Sequence, residues 1–187
     1  MIQCFIAKCN DIKLQRHYSK QLLRYSIKNV FKLEIEDEAI MRNQYGKPSF
    51  KNKEHIKFNI SHCDGLIACA VGLEEMGVDV ENIRSFDDYV VIRVCNMKEI
   101  NDIYSSHDSK RTFFTYWTMK ESLGKALGVG LHYPLRENEF IKNGDGYLCN
   151  YEGLKIKNYE IDNKFSLSIC TDKNEEIILR GVNLDGR

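Results

Sequence analysis

The sequence predicts an α+β protein of two similar lobes, each with helices packed on a small antiparallel sheet. Three features lead there: a long stretch of helical apolar spacing in each half, short alternating or apolar runs beside both, and a turn-punctuated series of strands after Pro134. The lobes are expected to span residues 1–84 and 85–187. That division rests on the order of elements, because no repeat shows in the residues themselves.

Taken in order, residues 2–7 are short and apolar and read as a strand. Over residues 14–33, Tyr18, Leu22, Leu23, Ile27, Val30 and Phe31 keep helical spacing. Arg16, Lys20, Arg24, Lys28 and Lys32 recur every fourth residue on another face; four residues advance about 400°, so the stripe drifts only ~40° per step and forms one basic ridge. Such a ridge is either a solvated face or a landing strip for a phosphate or an acidic protein partner. Residues 34–39 read as an acidic loop, and Gly46-Lys47-Pro48 is expected to break regular structure. Residues 56–61 and 66–73 read as a hairpin turning at Cys63-Asp64-Gly65, with 78–83 the next strand.

Residues 86–103 are expected to be helical. The clearest helix covers 112–128, where Phe113, Tyr116, Met119, Leu123, Ala126 and Leu127 follow the helical period and Gly128 and Gly130 can end it. Beyond Pro134, residues 139–141, 147–151, 155–161, 165–170 and 177–182 read as an antiparallel meander.

Composition narrows the function classes. Lys plus Arg and Asp plus Glu both number 27, so the strongly basic balance of duplex binders is missing and no nucleic-acid partner is expected. The 43% hydrophobic share is ordinary for a globular protein. Seven cysteines include no C-x-x-C pair and several sit in apolar runs, which reads as reduced thiols in a cytoplasmic protein. No signal-peptide pattern opens the chain and no apolar run approaches the ~18 residues that span a bilayer, so no membrane partner is expected. H-E-x-x-H, zinc-spaced Cys/His, G-x-S-x-G and G-x-x-x-x-G-K-[ST] patterns do not occur.

Two constellations carry chemistry. In Gly77-Val78-Asp79-Val80-Glu81, strand alternation points Asp79 and Glu81 the same way while Val78 and Val80 face the core. Two carboxylates so close repel unless a cation lies between them, and oxygen ligands suit Mg²⁺ better than zinc; the plainer alternative is a strand with a polar outer face. Glu121 and Lys125 stand at i, i+4 on the clearest helix, which is either a modest surface ion pair or part of a ligand site. Trp117 one turn earlier and Lys120 beside Glu121 favour the second, a third carboxylate and two ammonium groups suited to a pyrophosphate. Asn59-Ile60-Ser61-His62 ends a strand at a turn, a common meeting place for ligands.

Tyr45-Gly46-Lys47-Pro48, Phe58-Asn59-Ile60-Ser61-His62, Gly77-Val78-Asp79-Val80-Glu81 and the run from Trp117-Thr118-Met119-Lys120-Glu121 through Lys125 to Leu131 resemble, in order and spacing, the 4'-phosphopantetheinyl transferases of the larger surfactin-synthetase-activating type. The resemblance implies a monomer of two pseudo-symmetric lobes with coenzyme A in the cleft between them. It implies transfer of the phosphopantetheine arm to a serine of an apo acyl, aryl or peptidyl carrier protein, releasing adenosine 3',5'-bisphosphate. Carried over by position, Asp79, Glu81 and Glu121 would ligate Mg²⁺, or Mn²⁺ in its place. Lys120 and Lys125 would hold the pyrophosphate, Ser61 and His62 the phosphates with Asn59 beside them, and Gly46, Lys47 and Pro48 the adenine end. Glu121 and Lys125 would be the catalytic pair, proton acceptor and leaving-group stabiliser. Cys63 departs from the small hydroxyl residue often found there, and Arg16 or Lys20 stands in for an early basic residue that has no clear counterpart. Two other classes stand beside it: a Mg²⁺-dependent coenzyme A pyrophosphate hydrolase using the same ligands with water in place of serine, and a non-catalytic carrier-binding module using the basic ridge.

Overall fold

The computed structural model describes residues 1–35 and 40–184; Glu36, Asp37, Glu38 and Ala39, the end of the expected acidic loop, lie outside the described residues. The fold is α+β in four layers: helix, sheet, sheet, helix. The first sheet has the order β11-β1-β5-β4, from β1 (Ile2–Cys9), β4 (Lys57–Cys63), β5 (Gly65–Gly72) and β11 (Ile177–Val182). Strand alternation gives it two apolar faces. Phe5, Ala7, Ile67, Cys69 and Val71 cover Leu22, Leu23 and Ile27 of α1 (Gln15–Phe31). Cys4, Ala68 and Ala70 on the other face meet Val78, Val80, Leu167 and Ile169 of the second sheet.

That second sheet has the order β6-β10-β9-β8-β7, from β6 (Met76–Asn82), β7 (Ile141–Asn143), β8 (Gly146–Leu148), β9 (Leu154–Ile161) and β10 (Phe165–Asp172). Helix α4 (Ser109–Leu127) lies on its outer face, starting three residues before the expected 112 because the Asp108 side chain caps it by accepting from Arg111 N.

Four expectations need correction. The last strand does not extend the meander: β6 and β9 occupy both edges of β10, and β11 pairs parallel with the open edge of β1, so the first sheet is mixed. The sheets therefore do not divide at residue 84, since β6 belongs to the second and β11 returns to the first. Residues 86–103 break into α2 (Asp88–Val94) and α3 (Met97–Ser105), because Asn96 and Glu99 form a reciprocal capping box that starts a new helix. Gly46-Lys47 sits in the turn of a hairpin, β2 (Ile40–Arg42) with β3 (Pro48–Phe50), rather than in irregular chain. All seven cysteines are free thiols, and no helix among the described residues is long and apolar enough to cross a membrane.

Candidate active site

The site forms where β6 passes under α4. Gly77 makes that passage possible: a Cβ there would overlap the Ser122 carbonyl oxygen and the Ala126 nitrogen of the helix. Asp79 and Glu81 follow on the same face of the strand, with Val78 and Val80 turned into the core between the sheets, as alternation requires.

Asp79 is 4% exposed. Its Oδ1 accepts from Lys125 Nζ at 2.7 Å and from Ser61 Oγ at 2.8 Å, while Oδ2 is buried with no hydrogen-bond partner. Lys125 Nζ also donates to Ser61 Oγ at 3.0 Å and to the Val78 carbonyl at 3.1 Å. Glu121, one turn before Lys125, lies close enough to share this field. Burial, then the charge of Asp79, push its carboxyl up to about 7 from 4.5, with Lys125 opposing and Glu81 adding. Asp79 is thus buried, with Glu121 and Lys125 half-buried beside it.

Edge strands β4 and β6 lie side by side and are joined by side chains in place of a backbone ladder. Asn59 Oδ1 accepts from Val78 N at 2.9 Å, and Ser61 Oγ accepts from Val80 N at 3.3 Å. These bonds fix the height of Asp79 against α4. Above them opens a cavity of about 510 Å³, into which Arg16 and Lys20 of α1, Arg42 of the hairpin, His62, Lys125 and Glu121 converge. Five of those six are basic residues, so a chain neutral overall has a local anion site. Gly46, Lys47, Pro48 and Asn59 line it too. Sequence reasoning missed Arg42; its signal was position, four residues before Gly46, whose carbonyl accepts from Arg42 Nη1 at 2.8 Å.

Two expected site residues stand elsewhere. Lys120 does not face the cavity: its side chain is 0% exposed, paired with Glu99 at 2.9 Å, donating to the Leu135 carbonyl at 2.7 Å and lying over the Phe140 ring. The reason is helical rotation, which turns neighbours about 100° apart and sends Lys120 inward when Glu121 faces the cavity. Glu81 pairs with Arg84 at 2.9 Å and is not among the residues that line the cavity. Among the described residues no three acidic, histidine or cysteine side chains are arranged to hold one metal ion. Asp79 Oδ2 and the neighbouring Glu121 nevertheless offer an all-oxygen donor pair, of which the first is buried and unpartnered. That chemistry fits a hard divalent cation.

Fold and site together define an α+β enzyme with an anion-accepting cavity that ends at a carboxylate–lysine cluster. The chain belongs to the 4'-phosphopantetheinyl transferase superfamily, whose model matches residues 75–176 and so takes in β6, α4 and the second sheet through β10. It is 27% identical over 183 residues to 4'-phosphopantetheinyl transferase Sfp of Bacillus subtilis (strain 168), covering 89% of this chain and 82% of that one. It is 32% identical over 124 residues to 4'-phosphopantetheinyl transferase gsp of Aneurinibacillus migulanus, covering 65% and 52%. Among solved structures, Thermotoga maritima holo-[acyl-carrier-protein] synthase (AcpS) overlays with a TM-score of 0.45 at 16% identity, over 55% of this chain and 64% of that one. The resemblance to the surfactin-synthetase-activating group is borne out over most of the chain.

Proposed function

We propose that this enzyme transfers the 4'-phosphopantetheine group of coenzyme A to a serine hydroxyl of an apo acyl or peptidyl carrier protein and releases adenosine 3',5'-bisphosphate. The observation that carries the reading is the joining of a basic cavity to the Asp79–Lys125–Glu121 cluster at its floor. A diphosphate needs charge neutralisation and in-line placement more than covalent chemistry.

The serine oxygen forms a bond to the pantetheine-side phosphorus as the bond to the nucleotide-side oxygen breaks. Glu121, its carboxyl raised to about 7 by burial and by Asp79, accepts the serine proton as the carboxylate. Lys125 reaches the leaving phosphate oxygen with its ammonium, and Asp79 keeps that ammonium aimed. Ser61 aims Asp79 in turn. Arg16, Lys20, Arg42 and His62 receive the remaining phosphates, and the Gly46–Pro48 turn walls the nucleotide end. Asp79 and Glu121 would hold Mg²⁺ or Mn²⁺, which when bound neutralises diphosphate charge. The free thiols support a cytoplasmic setting.

The test is mass. Incubation with coenzyme A, Mg²⁺ and a panel of apo carriers is expected to add one phosphopantetheine group to a carrier serine. Coenzyme A consumed with every carrier left unchanged would favour the hydrolase, and carrier bound with coenzyme A intact would favour the silent module.

A further inference from the structure

A two-stranded hairpin is marginal by itself, yet the β2–β3 hairpin forms a wall of the cavity. Its β3 end is anchored in the core by Phe50, which is buried against Phe58 with ring centroids 4.6 Å apart. Its turn end is anchored differently. Asn43 Oδ1 accepts from Tyr45 N and Lys47 N, both at 2.9 Å, and so shapes the turn. The same side chain donates through Nδ2 to the Gly128 carbonyl at 2.9 Å. Lys47 Nζ donates to the Ala126 carbonyl at 2.9 Å and pairs with Glu75 at 2.6 Å, its side chain only 15% exposed. Glu75 lies in the turn from β5 to β6 and also pairs with Lys57 at 2.9 Å. Tyr45 packs on His132 just beyond α4, with centroids 5.3 Å apart.

Ala126 and Gly128 are at the C-terminus of α4, where the last carbonyls lack partners within the helix and the dipole is negative. An ammonium and an amide are the groups such an end attracts. Gly128 adopts φ 74°, and a Cβ there would crowd both Asn43 and Lys47 at 3.3 Å, so the close approach needs glycine.

We propose that Asn43 and Lys47 are positioning residues, a latch that fastens the hairpin to the end of the helix bearing Glu121 and Lys125. The Lys47 ammonium is then committed to protein groups, and the residue meets the ligand through its backbone alone. The latch sets the distance between the nucleotide wall and the catalytic helix, and so governs binding of the donor more than its chemistry. This rests on the reading that the cavity takes coenzyme A.

Hydrogen exchange of the free protein tests the latch without any ligand. In Asn43→Ala and Lys47→Met, amides of residues 40–50 are expected to exchange at least about tenfold faster while those of β5 keep their wild-type rates. In transfer assays the same variants should raise KM for coenzyme A by about 5- to 20-fold with kcat moved less than about twofold, and Lys47→Arg should retain most of the wild-type KM. Coenzyme A lacking its 3'-phosphate should lose affinity by the same factor as coenzyme A itself. Unchanged exchange in the hairpin of both variants, or an affinity loss confined to one of the two nucleotides, overturns the proposal. Should no carrier be modified at all, the exchange result still decides the latch.

Discussion

The two long helices rest on sheet faces of opposite character. Helix α1 lies on Phe5, Ala7, Ile67, Cys69 and Val71, and its buried Ser26 bonds back to the Leu22 carbonyl of its own helix. Helix α4 lies on Gly77, Asp79, Ser166 and Ser168. Its Thr118 Oγ1 meets Ser166 Oγ at 3.0 Å and Ser168 Oγ at 2.9 Å, and Asn158 Nδ2 donates to both serines at 2.9 Å. The first layer is held almost wholly by apolar burial, while the second adds a buried polar network to the apolar contacts of Met119, Leu123 and Ala126 with Ile156 and Cys170. The architecture is shared, and the chemistry belongs to the layer that carries buried polar groups between helix and sheet.

That contrast gives ordered expectations. The largest effect should come from Lys120→Met, which strands Glu99 as a buried charge whose carboxyl burial already pushes upward. Breaking such a pair costs about 3–5 kcal/mol, read by denaturant unfolding, with KM for coenzyme A little changed in the folded fraction. Lys120→Met with Glu99→Gln should recover most of the loss. A variant with full stability and a sharply raised KM would return Lys120 to the pyrophosphate and break the comparison.

A smaller loss, about 1–3 kcal/mol from overpacking, is expected for Gly77→Ala. The new methyl group would lift α4 from β6, so transfer should fall along with stability. Gly181→Ala is the control: a Cβ there meets nothing within 4 Å on the edge strand β11, and both readouts should hold. Equal behaviour of the two variants would mean that the approach of β6 to α4 does not matter.

Much of the second layer was legible in the sequence. The helical period through Leu123 and Leu127 announces α4, and alternation through Val78 and Val80 puts Asp79 and Glu81 on one face. What escaped was set by packing. Nothing local marks Lys120 as buried, because its partner Glu99 lies on another helix. The glycine at position 77 reads as part of a motif, but only the neighbouring helix shows why a side chain is excluded. The hairpin of residues 40–50 has strands of three residues each, too short for periodicity to register. The partner of β11 depends on which sheet edge is left open, a property of the assembled fold.

Glu121 tests the central claim, that the polar layer gives up stability where it carries chemistry. Its carboxyl is raised from 4.5 to about 7, so between those values the folded chain keeps a proton that the unfolded chain has released. Stability from this group is therefore lost as pH rises through that window. Thermal unfolding of wild type and Glu121→Gln in chelator is the direct measurement. The variant should unfold a few degrees higher than wild type at pH 8, the gap should close near pH 4.5, and transfer by the variant should be lost. A variant no more stable than wild type at pH 8, or one that still transfers at the wild-type rate, would contradict the account.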